Sequence, residues 1–380
     1  MDVDVIIVGA GVVGLACARE SAKRGFSTLV IERHDSFGQE TSSHNSEVIH
    51  SGIYYAPGSL KARLCPAANR RMYTECERMG VWHRRCGKLI VAVAPEEEPE
   101  LQKLYDRGVV NGIEGMSLMT RDAAAKLEPE IRCHAAIFLP STGIVDSHEL
   151  MKAYLREARE GGADVAYGIA VEAGESKQDG FVVNVREING ALQKITTRFV
   201  INAAGVGASD VAAGFGVRID AAGYAFHPNR GHYYKVSPSK SRMVSRLVYP
   251  VPTPTEIGLG IHITVDRAGQ AKLGPDAEYC EKLNAEEWYE FDDSPARREK
   301  FYTAALRYFP ILDRSDLSPD QVGVRSKVQA PGAPPRDFII ADESQKGLRG
   351  LVNLIGIESP GLTCSAEIAG EAVNIISGLL

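Results

Sequence analysis

Three glycines and an acid near the amino terminus carry the clearest chemical signal in the chain. Gly9-Ala10-Gly11-Val12-Val13-Gly14 spells Gly-x-Gly-x-x-Gly, and Glu32 follows 18 positions after Gly14. Glycines at that spacing suit a pyrophosphate: the first permits a tight turn, the second lets the backbone approach the anion, and the third lets a helix pack closely on a strand. A helix that starts there points free N–H groups and its positive end at the phosphates. A carboxylate at position 32 accepts hydrogen bonds from ribose hydroxyls and repels a 2′-phosphate. The pattern predicts a dinucleotide but does not separate NAD from FAD. One such turn, without a second copy, disfavours a reductase using both.

The surrounding elements agree. Asp4-Val5-Ile6-Ile7-Val8 is a run expected of a strand buried on both faces, the stretch 13–24 is helical and closed by Gly25, and Ser27–Ile31 is a second buried strand ending on Glu32. This is a parallel β–turn–α–β unit with a right-handed crossover. Downstream, a helix is predicted over 60–79, which Pro66 must break or whose main part it must begin. A strand follows at 88–93 and a polar helical region from the acidic stretch 95–100 to about 107. Leu150, Met151, Tyr154, Leu155 and Ala158 form a helical stripe behind an Asp146–Glu149 capping box. Strands are predicted near 164–171, 181–185 and 195–201, and a final apolar helix over 362–376. The Pro-rich pieces 250–254 and 331–335 read as loops.

Composition narrows the class. A chain of 380 residues suits two intertwined domains. A net charge of −6 and scattered Lys and Arg give no track for nucleic acid. The seven cysteines form no Cys-x-x-Cys pair, which favours reduced thiols over a disulfide framework or zinc site, and hence a cytoplasmic protein. No apolar run reaches the ~18 residues of a membrane span. The apolar start, 5–18, is broken by the three glycines and preceded by Asp2 and Asp4, so it reads as core and not as a signal segment.

The choice of FAD rests on Thr41-Ser42-Ser43-His44-Asn45-Ser46-Glu47-Val48-Ile49-His50-Ser51-Gly52-Ile53-Tyr54-Tyr55. This string resembles the second flavin segment of the D-amino-acid-oxidase-like superfamily. Further stretches at 57–65, 86–92, 142–146, 249–252 and 323–325 make the chain similar to its L-2-hydroxyglutarate dehydrogenase/oxidase group. Glu47 stands where that group has Gly, and Ser326 where Pro or Ala is commoner. The resemblance implies a Rossmann-type α/β domain for FAD, with an inserted α+β substrate domain built on a mixed, mainly antiparallel sheet. The expected boundaries are 1–80, 145–220 and 325–380 for the first, and 81–144 and 221–324 for the second.

It also implies a site. The flavin contacts would be Gly9, Gly11, Val12, Val13, Gly14, Glu32 and Arg33 in the fingerprint, then Thr41, Ser42, Ser43, His44 and Asn45. Val171 would hold adenine by its backbone, and Ala204 and Gly205 would border the ADP half. Gly356, Ser359, Gly361, Leu362 and Thr363 would lead into the last helix, whose N-terminus would face the charge that reduction places on the flavin. Arg325 matches an arginine that grips a substrate carboxylate, a task suited to its planar fork. His50 is the leading general base and His262 a second candidate, since imidazole titrates near neutrality. A flavin-packing role for His50 and a core role for His262 remain open. Tyr55 and Tyr249 are candidate phenolic donors. The implied reaction is hydride transfer from Cα of an L-2-hydroxy acid, foremost L-2-hydroxyglutarate, to FAD. Oxygen, a quinone or an electron-transfer protein would accept the electrons, with peripheral membrane contact left open. An amine or amino-acid oxidase of the same superfamily, and a flavin-binding protein without turnover, are the alternatives.

Overall fold

The computed structural model describes residues 1–252, 259–280 and 282–380. The chain forms two compact units, one of Met1–Ser43, Ser147–Pro228 and Arg325–Leu380, the other of His44–Asp146 and Asn229–Val324.

In the first unit β1 (Val3–Val8) leads into α1 (Val12–Lys23) and β2 (Thr28–Glu32). β1 lies parallel to β2, with Ile7 opposite Val30, and parallel to Leu192–Asn202, with Ile7 opposite Ile201. Val5, Ile6 and Ile7 are fully buried, which is why the run has no polar alternation. Asp164–Tyr167 extends the sheet beyond β2, and Leu351–Ile355 runs parallel to Leu192–Asn202. An antiparallel meander of Ile169–Lys177, Gly180–Glu187 and Leu192–Asn202 completes one side. α1 packs against Ser147–Glu160 and the last helix, Ser365–Ser377. Arg19 joins the first two through Glu157 at 3.2 Å and by lying 5.0 Å over the Tyr154 ring. The last helix starts later than the apolar pattern predicts, because 359–364 form turns before it.

The second unit is a nine-stranded mixed sheet. Its interior strand Lys88–Ala92 is antiparallel to Ala135–Leu139 and parallel to Leu247–Pro250. The pairings from Leu247–Pro250 through Ile263–Val265, Ala271–Leu273 and His227–Val236 to Glu278–Tyr279, and of Ala135–Leu139 with Ser117–Thr120, are antiparallel. Leu89, Ile90, Val91 and Ala92 are fully buried in its core. A short three-stranded sheet joins Val48–Ile49, Gly143–Val145 and His83–Arg84.

Segment 44–80, expected with the cofactor domain, belongs to the second unit. Long-range bonds decide this: Val48 pairs with Ile144, and Asn69 Nδ2 and Tyr73 Oη both donate to the Ser141 carbonyl, at 3.0 and 2.7 Å. The helix α2 (Leu60–Met79) is unbroken at Pro66. Ser59 caps it by accepting from the Ala62 N–H at 3.1 Å, and buried residues flank the proline on both sides. The pyrrolidine ring lies against Gly52, where an added Cβ would meet its Cδ at 3.3 Å. Packing and the cap thus outweigh the one backbone bond a proline removes. Of the two Pro-rich pieces, 331–335 is a loop, while 253 and 254 lie outside the described residues. No helix among the described residues is long and apolar enough to cross a membrane.

Candidate active site

The glycine turn of the first unit fills the gap between β1 and α1. Gly9 sits at φ +99°, and a Cβ there would stand 2.8 Å from the Ala203 carbonyl oxygen. A Cβ on Gly14 would stand 1.9 Å from the Gly9 carbonyl oxygen, so no side chain fits and α1 rests directly on the turn. The Val12 N–H donates to Ser42 Oγ at 3.0 Å, which puts a hydroxyl at the helix N-terminus. Glu32 is buried, and its two oxygens accept from the Ala10 and His34 N–H groups at 2.7 and 2.9 Å. A carboxylate has about four acceptor positions, so Glu32 braces the turn and keeps capacity for hydroxyls. These residues fit a dinucleotide.

Arg33 pairs with Glu40, which also meets His34 Nε2 at 2.9 Å. Ser43 donates to the Gly38 carbonyl, and the Gly38 N–H donates to the Ala10 carbonyl at 3.1 Å, folding the segment with Thr41 back on the turn. Val171 lies opposite Val185, just before a register shift. Ala204 and Gly205 turn the chain after Asn202, whose side chain donates to the Ala208 carbonyl and to Asn353 Oδ1, both at 2.8 Å. Gly356 has φ +68°, and a Cβ on Gly361 would stand 2.7 Å from the Glu358 carbonyl oxygen. Ser359, half-buried Leu362 and buried Thr363 complete that turn, which Ser326 steadies by donating to the Ile357 carbonyl at 2.8 Å. Arg325, half-buried, occupies the strand Leu317–Lys327.

The expected flavin segment 41–45 divides, since His44 and Asn45 belong to the second unit. The His44 ring lies 5.3 Å from that of Tyr289, and the Asn45 carbonyl accepts from Gln321 Nε2 at 3.0 Å. Glu47 has φ +56°, the left-handed region where the related group's glycine would sit without strain.

His50 follows the short strand Val48–Ile49, and its carbonyl accepts from Asn69 Nδ2 at 3.0 Å and from Cys65 Sγ at 3.3 Å. Nearby, the Tyr249 ring stacks on His262 at 3.7 Å and on Tyr54 at 6.4 Å. Lys88 Nζ lies 4.5 Å from the Tyr249 ring centre and 4.8 Å from that of Tyr54. Lys88 is 0% exposed, and neither its ammonium nor the Tyr54 hydroxyl has a hydrogen-bond partner among the described residues. His262 Nδ1 is 2.9 Å from the Gly260 carbonyl oxygen. Tyr55 is half-buried, and its carbonyl accepts from Asn111 Nδ2 at 3.0 Å.

Burial sets the electrostatics here. It pushes the His50 imidazole well below its usual range, and the charges of Lys88 and His262 act in the same direction. It pushes the Lys88 ammonium down to about 7, against a smaller opposing effect of Cys65. It raises the Tyr54 and Tyr249 phenols, so both remain protonated donors. An unprotonated imidazole beside positive charge suits an anionic substrate with a proton to give up.

Of the predicted catalytic residues, Tyr249 and His262 stack together, and His50 is electrostatically coupled to His262. Lys88 and Tyr54 were not predicted. The available signal was a charged residue opening the otherwise apolar run Lys88-Leu89-Ile90-Val91-Ala92.

The model of the family described as FAD dependent oxidoreductase (DAO) matches residues 4–375. The chain is 37% identical over 407 residues to a mitochondrial L-2-hydroxyglutarate dehydrogenase of Arabidopsis thaliana, over 98% of this chain and 83% of that one. It is 27% identical to the L-2-hydroxyglutarate dehydrogenase of Escherichia coli (strain K12), over 99% and 94%. Among solved structures, a dithionite-reduced L-alpha-glycerophosphate oxidase from Mycoplasma pneumoniae with FAD bound superposes with a TM-score of 0.86 at 26% identity, over 99% and 94%. Glycine oxidase from Geobacillus kaustophilus shares the fold, with a TM-score of 0.80 at 20% identity over 99% and 95%.

Three outcomes follow from this geometry. Gly14→Val should yield protein without the visible flavin band, checked by absorbance of the purified variant, because its side chain collides with the Gly9 carbonyl. Glu47→Gly should raise unfolding stability by about 1 kcal/mol, measured by denaturant titration, because it relieves a left-handed non-glycine residue. Lys88→Met should gain stability relative to the wild type most below pH 7, on the order of a few kcal/mol. The folded lysine titrates near 7 and the unfolded one near 10.5, so the cost of burying the charge is full below 7 and fades as pH rises toward 10.5. Calorimetry at pH 6 and pH 9 checks that slope.

Proposed function

Since the chain belongs to the DAO family of FAD-dependent oxidoreductases, we propose that it oxidises the Cα–OH of an L-2-hydroxy acid, L-2-hydroxyglutarate above others, to the 2-oxo acid. The observation that carries the substrate is the 37% identity to the Arabidopsis L-2-hydroxyglutarate dehydrogenase across 98% of this chain. FAD, when bound, supplies the two-electron acceptor for the hydride. The Gly9–Gly14 turn and Glu32 would hold its ADP half, with Ser42 at the start of α1.

His50 is the base that takes the hydroxyl proton as the Cα–H pair leaves. Its neutral form, favoured by burial and by Lys88, supports that role. Arg325 grips the C1 carboxylate with its planar fork. Tyr249 presents a protonated phenol to a substrate oxygen, and His262 orients it by stacking. An amine substrate would bring a second ammonium toward the charge of Lys88, which favours the hydroxy acid. The electrons pass on to oxygen, a quinone or an electron-transfer protein. The seven free cysteines support a reducing compartment such as the cytoplasm, whereas the Arabidopsis relative is named as mitochondrial.

Anaerobic mixing with a panel of L-2-hydroxy acids, D-amino acids and N-methyl amino acids tests the substrate class. L-2-hydroxyglutarate should bleach the flavin fastest, and a flavin that stays oxidised with it but bleaches with an amine would overturn the assignment. His50→Ala should slow bleaching by roughly 10²-fold or more. Arg325→Ala should chiefly raise the substrate concentration needed for half-maximal bleaching.

A further inference from the structure

Lys88 stands at the start of the interior strand Lys88–Ala92 of the second unit, between Leu139 and Leu247 on the neighbouring strands. A lysine ammonium is almost never fully buried unless it is paired. This one is completely covered and has no hydrogen-bond partner among the described residues, while two tyrosine rings lie under it at 4.5 and 4.8 Å. The electron-rich ring faces attract a cation and cannot accept its proton. The titratable groups facing this cluster are Tyr54 a few residues after His50, Cys65 on α2, Cys86 before Lys88, Tyr249 on the adjacent strand Leu247–Pro250, Tyr233 on the strand His227–Val236 farther across the sheet, His262, and Tyr308 after the helix Pro295–Leu306. Tyr249 ties the ends together, with Lys88 over its ring and His262 stacked on it. Cys65 both faces Lys88 and bonds to the His50 carbonyl.

We propose that Lys88 is a positioning residue for the oxidation: its charge, buried against Tyr54 and Tyr249, adds to burial in keeping His50 in the unprotonated form that accepts the substrate's hydroxyl proton. Lys88 has no exposed surface, so its assigned part is electrostatic and is exerted on His50. Below its titration near 7 the charge in this cluster is that of Lys88, while the His50 imidazole is held well below its usual range. In the step, the O–H bond breaks and its proton goes to His50, the C–O bond becomes a carbonyl, and the Cα–H electron pair leaves as hydride, for which FAD, when bound, would supply the two-electron acceptor. This inference rests on the reading of His50 as the base.

The test uses flavin-loaded enzyme: wild type, Lys88→Met, Lys88→Arg and His50→Gln. Anaerobic bleaching by L-2-hydroxyglutarate is timed from pH 5 to pH 9. The acid limb of Lys88→Met should move up by roughly one pH unit, the size of a close charge effect on an imidazole, and its rate should approach that of wild type at pH 9. Lys88→Arg, which keeps the charge, should keep the wild-type limb. An acid limb in Lys88→Met that overlies wild type overturns the proposal. If His50→Gln retains the wild-type rate and limb, the base reading fails instead. The ¹⁵N titration of the His50 ring then reads the electrostatic coupling without turnover, and a midpoint unchanged in Lys88→Met refutes it. Should Lys88→Met not retain flavin, the wild type decides: the Lys88 ¹⁵Nζ signal should titrate near 7, with the His50 ring signals shifting in step. A Lys88 amine that titrates above 10, or His50 signals indifferent to it, also overturns the proposal.

Discussion

Between the Gly14 Cα and the Gly9 carbonyl there is no space for a methyl group, and the first unit is organised around that close approach. It seats α1 on β1, so that the first N–H groups of the helix open onto the turn. The sheet register puts the other parts of the cradle in reach. Val8 lies opposite Ile31 on one side and Asn202 on the other, which sets Glu32 and Ala203 beside the turn. Glu32 accepts from the Ala10 N–H, and Ala203 donates to the Val8 carbonyl at 2.9 Å. Every bond in this set depends on parallel strands in one register, and the strands hold that register by burying Val5, Ile6 and Ile7 completely.

The second unit depends on a cost instead. Its strand Lys88–Ala92 is covered on both faces, and Lys88 is covered with it. A buried charge is tolerated where something offsets it. Here the two tyrosine faces offset part of the cost, and the rest appears as an ammonium that releases its proton near neutrality. The same desolvation acts on His50 and on the Tyr54 and Tyr249 phenols. Histidine stays neutral and the phenols stay protonated, so acceptor and donors coexist at one pH.

Much of the cofactor cradle was legible because its signals are local. A Gly-x-Gly-x-x-Gly turn, an apolar strand before it and an acid after the next strand each state a backbone requirement within about thirty residues. The second-unit site was legible in part. Tyr249 and His262 were named, but the ring beside Lys88 is that of Tyr54, one position from the tyrosine singled out. Alternation along a loop does not show which of two adjacent tyrosines turns inward. Pro66 misled for the opposite reason: its local penalty is real, and only the packing on Gly52 and the Ser59 cap reveal that the helix tolerates it.

By itself the sequence determined the α/β class, the dinucleotide turn and the family, because these rest on residue types at fixed short spacing. Tertiary structure alone decided that segment 44–80 belongs with the second unit, and that Lys88, Tyr54, Tyr249 and His262 form one cluster. The physical reason is that burial and pairing across strands far apart in sequence are non-local. Charge in a fully covered site takes its chemistry from neighbours that no window along the chain contains.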